Sequence, residues 1–156
     1  MNESEKIAAL FEAFYDGECW IGLNFKQAIK GVDEKLAARK KGDAFNSIWQ
    51  LVNHIIYWRK TVMIRLQGVL GNPPMPDFYQ PDQPDKQSWK ETLNHFEEVQ
   101  KELVKTIRSF PSAHLDNASP MKGQTNYQLL IGCLQHDGYH MGQIILLKKE
   151  NASSEC

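Results

Sequence analysis

Two histidines at helical spacing are the first residues in this sequence whose types and positions indicate chemistry. His136 and His140 stand four residues apart, so on a helix they lie one above the other with Cβ atoms about 5–6 Å apart. Two imidazoles at this separation can share one metal ion. Their helix face is also apolar, because it carries Leu129, Cys133 and Ile144. Buried imidazoles need partners for both ring nitrogens, so this pair requires an explanation.

A third histidine, on another predicted helix, completes a possible ligand set. His54 lies on or beside the inward face that carries Leu51 and Trp58. Three neutral imidazoles and a water form a catalytic zinc site with an open position, and imidazole also suits nickel, iron or manganese. Such a metal acts as a Lewis acid that lowers the pKa of a bound water or thiol. We therefore predict a divalent metal on His54, His136 and His140.

Two other interpretations of these histidines stay open at the level of sequence. They could be hydrogen-bonded core residues without a metal, or they could hold a structural or sensory metal that a fourth protein ligand closes. Cys133 is the candidate for that fourth position, although a buried cysteine is more often a small apolar side chain. Gln143, one turn beyond the second histidine, could orient water or substrate or form a helix contact.

Several neighbouring residues have less specific interpretations. Asp137 and Tyr139 flank the ligand positions, and either could contact a ligand imidazole from behind. His95 and His114 are expected to be solvent residues without a role. The four tryptophans fall mostly at helical spacing and are expected in the core.

The elements that must position these residues are predicted to be helices, because apolar residues recur at helical spacing nearly throughout. A first helix with breaks at its glycines covers residues 7–32, and a short helical turn follows Asp33. Capping boxes predict further helices that begin at Ser47, Ser88 and Thr125. The fold class is therefore all-α, and four amphipathic helices predict a four-helix bundle.

A proline-rich connection predicts the topology of this bundle. Residues 69–85 hold five of the seven prolines, and no helix can run through them. The segment can span about 50 Å at about 3.3 Å per residue, more than the about 30 Å length of a 20-residue helix. We predict an up-down-down-up bundle with this crossover between helices 2 and 3. It forms a single domain over residues 1–150, with a frayed tail over residues 151–156.

Composition argues against polyanionic and membrane partners. The net charge is −1, from 18 basic and 19 acidic residues, whereas a nucleic-acid binder would show a basic excess. The sequence contains no apolar stretch of the about 20 residues that a membrane span needs. Three cysteines are too few, and odd in number, for a disulfide framework, so a reducing cytoplasm is expected.

Three stretches of the sequence are GECWIGLNF, SIWQLVNHIIYW and HDGYHMGQIILLKK. Together they resemble the DinB-like superfamily, which groups damage-inducible protein B with metal-dependent hydrolases and thiol transferases. The resemblance implies a divalent metal, usually zinc or nickel, on His54, His136 and His140, in an up-down-down-up bundle that is often dimeric. It also implies that Trp20 lies nearer the pocket than the other tryptophans.

The resemblance also suggests the reaction class. Some members are transferases that join a low-molecular-weight thiol such as bacillithiol or mycothiol to an electrophile. One branch isomerises maleylpyruvate with mycothiol, and others are described as hydrolases. We therefore expect a metal-dependent thiol S-transferase or hydrolase that acts on a small molecule, without nucleic-acid or membrane partners. The alternative is a non-enzymatic, stress-related bundle with a structural or sensory metal.

Overall fold

Helices form nearly all of the regular structure in the computed structural model, which describes residues 1–153 and the side chains of residues 1–150. The predicted all-α class is thereby confirmed. A single bridge between Ala118 and Thr125 is the strand-like pairing in these residues. The helices are α1 Glu3–Tyr15, α2 Phe25–Ile29, α3 Glu34–Ala38, α4 Ile48–Leu66, α5 Lys86–Ser109 and α6 Asn126–Ser153, with a 3-10 turn at Ser112–His114.

Two of the three capping boxes predicted from the sequence are present. The Ser47 hydroxyl accepts from the backbone N–H of Gln50 at the start of α4, and Thr125 does the same for Gln128 at the start of α6. The prediction that α5 begins at Ser88 is wrong. Asp85 caps this helix instead, because its carboxylate accepts from the Ser88 N–H at 2.8 Å, which brings the preceding two residues into the first turn.

The first predicted helix is divided into separate pieces. α1 ends at Tyr15, and the apolar residues beyond it belong to the loop and to α2. A Cβ on Gly17 would lie 2.9 Å from the Cα of Ala13, so glycine allows the chain to fold back against α1. The short helix after Asp33 is confirmed as α3, with the Asp33 carboxylate as its cap.

The tryptophans differ in their burial. Trp49 and Trp89 are buried as predicted, and the Trp89 indole N–H donates to the Val32 carbonyl at 2.8 Å. Trp20 is 98% exposed, so the predictions that it packs in the core or lines the pocket are wrong. It lies between α1 and α2, where no helix presents it to the core.

The four long helices touch in a closed ring, because α1 contacts α5, α5 contacts α4, α4 contacts α6, and α6 contacts α1. Along α4 and α5 the contacts advance together, from Trp49 on Trp89 to Arg59 on Gln100. Along α1 and α5 they advance in opposite senses: Ser4 meets Phe110 and Tyr15 meets Phe96. None of the helices in residues 1–153 combines the length and apolar character that crossing a membrane requires.

A buried arginine at the centre of this ring connects all four helices. Arg59 of α4 is fully buried, and its Nε donates to Asp137 Oδ2 of α6 at 2.8 Å. Its NH1 donates to Gln100 of α5, whose amide donates to the Phe11 carbonyl of α1 at 3.0 Å. The guanidinium also lies 4.6 Å from the centre of the Phe96 ring, a favourable cation–π contact.

We expect replacement of Arg59 to destabilise the fold strongly. Arg59→Met leaves the Asp137 carboxylate buried without its partner, which typically costs about 3–5 kcal/mol. Adding Asp137→Ala removes the unpaired buried charge. The double variant should therefore lose less free energy of unfolding than the two single variants lose together. Urea unfolding of the metal-free protein measures this coupling, and strictly additive losses would contradict it.

Candidate metal centre

The three histidines predicted as ligands come together between α4 and α6. One ring nitrogen from each of His54, His136 and His140 lies within 4.8 Å of the other two. The Nε2 atoms of His54 and His136 are 3.0 Å apart. His54 and His140 are buried and His136 is half-buried. The tertiary structure therefore assembles the predicted set into a group that could hold a metal ion.

His54 is held from behind by the proline-rich segment. Its Nδ1 lies 2.7 Å from Asp77 Oδ1, and because a carboxylate only accepts, Nδ1 carries the proton. Phe78 stacks on the same imidazole, with ring centres 3.8 Å apart and planes 13° apart. The Nε2 lone pair of His54 is consequently directed toward the other two histidines.

Asp77 and Phe78 are site residues that the sequence prediction missed. Residues 69–85 were predicted only to connect two helices, and no role was predicted for Asp77 within them. Phe78 adopts a left-handed φ of 49°, which is uncommon for a bulky residue. Residues with such backbone conformations are often found at functional sites. The Phe78 N–H donates to the same Asp77 oxygen at 2.8 Å, which helps to hold this conformation.

His140 is oriented by its own helix. Its Nδ1 donates to Gln143 Oε1 at 2.7 Å, and the two residues are one turn apart on α6. This contact differs from both predicted roles of Gln143, which were a substrate contact and a bond between helices. It leaves the His140 Nε2 lone pair free to face the group.

His136 faces the buried Arg59–Asp137 pair. Its Nδ1 lies 3.7 Å from Asp137 Oδ1, which is too long for a hydrogen bond. Both atoms are buried and lack a hydrogen-bond partner within the described residues. Asp137 thus stands behind the His136 ring, as one of the two residues predicted to contact a ligand imidazole. The other, Tyr139, is 66% exposed and meets the His140 ring edge-on.

The electrostatics of the group favour neutral imidazoles. Burial lowers the pKa of His54 and His140 below the ordinary value of 6.5, although the hydrogen bonds to Asp77 and Gln143 oppose this shift. Metal binding requires neutral imidazole. Burial therefore favours, at His54 and His140, the protonation state that a cation needs.

The geometry of the group fits a small divalent cation. Two nitrogens bound to a tetrahedral zinc at about 2.0–2.1 Å would be about 3.3 Å apart, close to the observed separation of 3.0 Å between His54 Nε2 and His136 Nε2. Two lone pairs at this distance repel unless a proton or a cation lies between them. The donor set, three imidazoles, also suits zinc or nickel.

Other predicted residues lie outside the ligand group. Cys133 is buried and is not part of the histidine group, and burial raises the pKa of its thiol well above the ordinary value, which disfavours the thiolate that binds metal. His114 is exposed as predicted, whereas His95 is half-buried, so the prediction of a solvent position is wrong for His95. It belongs to α5 and is not part of the group of three histidines.

These features agree with the family comparison. The sequence model of the DinB superfamily matches residues 24–144, which include all three histidines, Asp77 and Gln143. The chain belongs to the DinB superfamily. No curated protein and no solved structure gives a significant match.

We expect Asp77 to control the affinity of this group for metal. Asp77→Asn replaces the carboxylate behind His54, and loss of such a partner typically weakens metal binding by about 10–100-fold. Competition with a chromophoric chelator measures the zinc affinity. Asp82→Asn is the matched control, because Asp82 lies in the same proline-rich segment at an exposed position. Equal affinities in the two variants would contradict the role of Asp77.

Stability of the metal-free protein should fall in mildly acidic solution. The pKa values of His54, His95 and His140 are lowered by burial in the folded state. The unfolded chain therefore binds more protons as the pH falls through about 6.5, and the free energy of unfolding decreases. Urea unfolding between pH 7.5 and pH 5.5 tests this, with EDTA present.

The exposed residue His114 supplies the control for this pH series. His54→Gln should reduce the dependence, whereas His114→Gln should leave it nearly unchanged. A free energy of unfolding that stays constant or rises toward pH 5.5 would show that the stated sign is wrong.

Proposed function

We propose that this protein is a divalent-metal-dependent enzyme, and a thiol S-transferase in particular. The observation that carries the proposal is the convergence of one ring nitrogen from each of three histidines without a fourth protein ligand in the described group. A site of three histidines keeps a position open for water or substrate, whereas structural sites are closed by four protein ligands.

The framework proposed for this site is a single four-helix domain over residues 1–150, in up-down-down-up order with the proline-rich crossover. The order of contacts along α4 and α5 supports a parallel arrangement of these two helices. Trp49 contacts Trp89, and farther along both helices Arg59 contacts Gln100. Asp77, within the crossover, contacts His54. Of the proposed tail, residues 151–153 continue α6 and residues 154–156 lie outside the described chain.

The chain's own residues prepare the site for catalysis. His54, His136 and His140 would hold the ion, which supplies Lewis acidity and lowers the pKa of a bound thiol or water. Asp77 fixes the proton of His54 on Nδ1 and Gln143 does so for His140. Asp137 offers an acceptor behind His136. The hydrogen bonds of Asp77 and Gln143 leave the Nε2 atoms of His54 and His140 unprotonated and available to a metal.

The described residues place no further carboxylate in the histidine group, which favours thiol over water as the nucleophile. Asp77 and Asp137 both stand behind imidazole rings, and they are engaged by His54 and Arg59 respectively. Neither faces the Nε2 side, where a water would have to be deprotonated. A thiol, with an ordinary pKa of about 8.5, needs much less assistance than water, with a pKa of about 15.7.

The proposed reaction transfers the sulfur of a small thiol to an electrophile. A new carbon–sulfur bond forms, the bond from that carbon to its leaving group breaks, and the thiol proton passes to solvent. Hydrolysis of an ester or amide is the second candidate, because the same open position would accept water. A purely structural or sensory metal is less well supported, since Cys133 is not in the ligand group.

The proposal also covers the metal, the binding partners, the cellular compartment and the oligomeric state. Zinc or nickel is the proposed metal, with iron or manganese as further candidates, and the partners are small molecules rather than nucleic acid or membrane. The near-neutral charge of −1 supports this choice. We propose a cytoplasmic homodimer, which the neighbouring exposed apolar side chains of Trp20, Ile21 and Leu23 support.

The proposal predicts metal-dependent thiol conjugation. Protein reconstituted with zinc or nickel should bind one equivalent of metal and accelerate the reaction of 1-chloro-2,4-dinitrobenzene with at least one of bacillithiol, mycothiol, cysteine or glutathione. His140→Ala should lose both stoichiometric metal and activity because a ligand is missing. His114→Ala should retain both. Product absorbance, metal analysis and sedimentation equilibrium on the same samples give rate, metal content and oligomeric state.

Each failure in this experiment has a distinct meaning. A wild-type protein without stoichiometric metal overturns the metal site. Metal without conjugation by any thiol overturns the transferase, and accompanying hydrolysis of an ester substrate would favour the hydrolase. Sedimentation as a monomer would contradict the homodimer.

A further inference from the structure

A cavity of about 370 Å³ is lined in part by Gln143, the residue that is hydrogen-bonded to His140. This volume is within the about 300–1,000 Å³ typical of small-molecule sites. The loop after α3 forms one wall, and α4 and α6 form the others. Its lining includes the apolar residues Phe45, Leu51, Leu146 and Leu147, the ionic pair Lys41 and Glu150, and Gln143.

The cavity continues the same helix faces that carry the ligands. Leu51 lies one turn before His54 on α4, and Gln143 lies one turn after His140 on α6. With a rise of 1.5 Å per residue, Gln143 and Leu147 are about 4.5 and 10.5 Å along the helix from His140. A molecule that fills the cavity would therefore extend from Leu147 to the edge of the histidine group.

The walls of the cavity combine apolar side chains with polar ones and carry no net charge. Phe45 and Leu146 are 53% and 63% exposed. Together with Leu51 and Leu147 they form the apolar part of the lining. The ionic groups of the lining compensate each other, because Lys41 Nζ lies 2.6 Å from Glu150 Oε1. These walls suit an uncharged molecule better than an ionic one, since a bound charge would find no unmatched counter-ion in the lining.

Gln143 adds one polar group at the end nearest to the histidines. Its Oε1 is occupied by His140 Nδ1, so the group it can still offer is its NH2. No partner for this NH2 occurs among the described residues. A carbonyl, nitro or ether oxygen on a ligand could accept from it.

We propose that this cavity binds the electrophilic substrate as an uncharged, mainly apolar molecule whose hydrogen-bond acceptor meets the Gln143 NH2. The inference rests on the proposed function and extends it, because it assigns the cavity to the electrophile rather than to the thiol. Low-molecular-weight thiols such as glutathione carry several charges, for which these walls offer no compensation.

The test uses 1,3-dinitrobenzene, an uncharged aromatic molecule with acceptor oxygens and no leaving group. Titration into the full-length, metal-free protein is followed by proton–nitrogen NMR. We expect shifts of the Gln143 side-chain amide and of the Phe45 and Leu146 backbone amides. Leu146→Glu should weaken binding at least tenfold, because it adds a carboxylate to an apolar wall one turn from Glu150.

Leu70→Glu is the matched control, because Leu70 is similarly exposed at 66% and does not line this cavity. It should bind the probe as the wild type does. A second portion of each of the three proteins is reconstituted with zinc and analysed for metal, and Leu146→Glu should bind as much metal as the wild type.

The outcomes separate this inference from the proposed function. Shifts elsewhere, equal binding by the two glutamate variants, or displacement of the probe by glutathione would overturn the assignment of the cavity. Loss of probe binding in Leu146→Glu alone supports it, whether or not the protein binds metal. Lack of metal in the wild type would overturn the proposed function and leave the cavity as a site for apolar ligands.

Discussion

The buried ion pair between Arg59 and Asp137 is the interaction on which the rest of the structure depends. It joins α4 to α6 in the core, and Gln100 extends the network to α5 and α1. Two charges are costly to bury unless they are paired and hydrogen-bonded, so the helices must keep one relative placement. That placement is also the one that brings His54 of α4 opposite the two histidines of α6.

Each of the three imidazoles has a polar group behind it, and hydrogen bonds to Nδ1 orient two of them, His54 and His140. The proline-rich segment supplies Asp77, α6 itself supplies Gln143, and the core ion pair supplies Asp137. A polar group behind Nδ1 fixes the ring and leaves Nε2 as the ligand atom. The site consequently depends on a loop, a helix surface and the core at once, and a change in any of them would alter the ligand geometry.

The histidine group and the cavity lie along the same faces of α4 and α6, and Gln143 belongs to both, because it lines the cavity and is hydrogen-bonded to His140. The ligands are placed by the i and i+4 spacing, and the cavity by residues one and two turns farther along the same faces. Burial keeps His54 and His140 neutral by lowering their pKa values. A neutral cavity beside neutral imidazoles is suited to a cation bound by the histidines and an uncharged molecule beside it.

The sequence by itself determined what depends on local spacing. Periodicity predicted the helical class, capping boxes predicted the starts of α4 and α6, and the four-residue interval placed His136 over His140. It failed where two features competed locally, as at Asp85 and Ser88, or where no helix face existed, as at Trp20. Only the tertiary structure decided that Asp77 contacts His54 and that Arg59 pairs with Asp137, because contacts between distant segments leave no periodic signal in the chain.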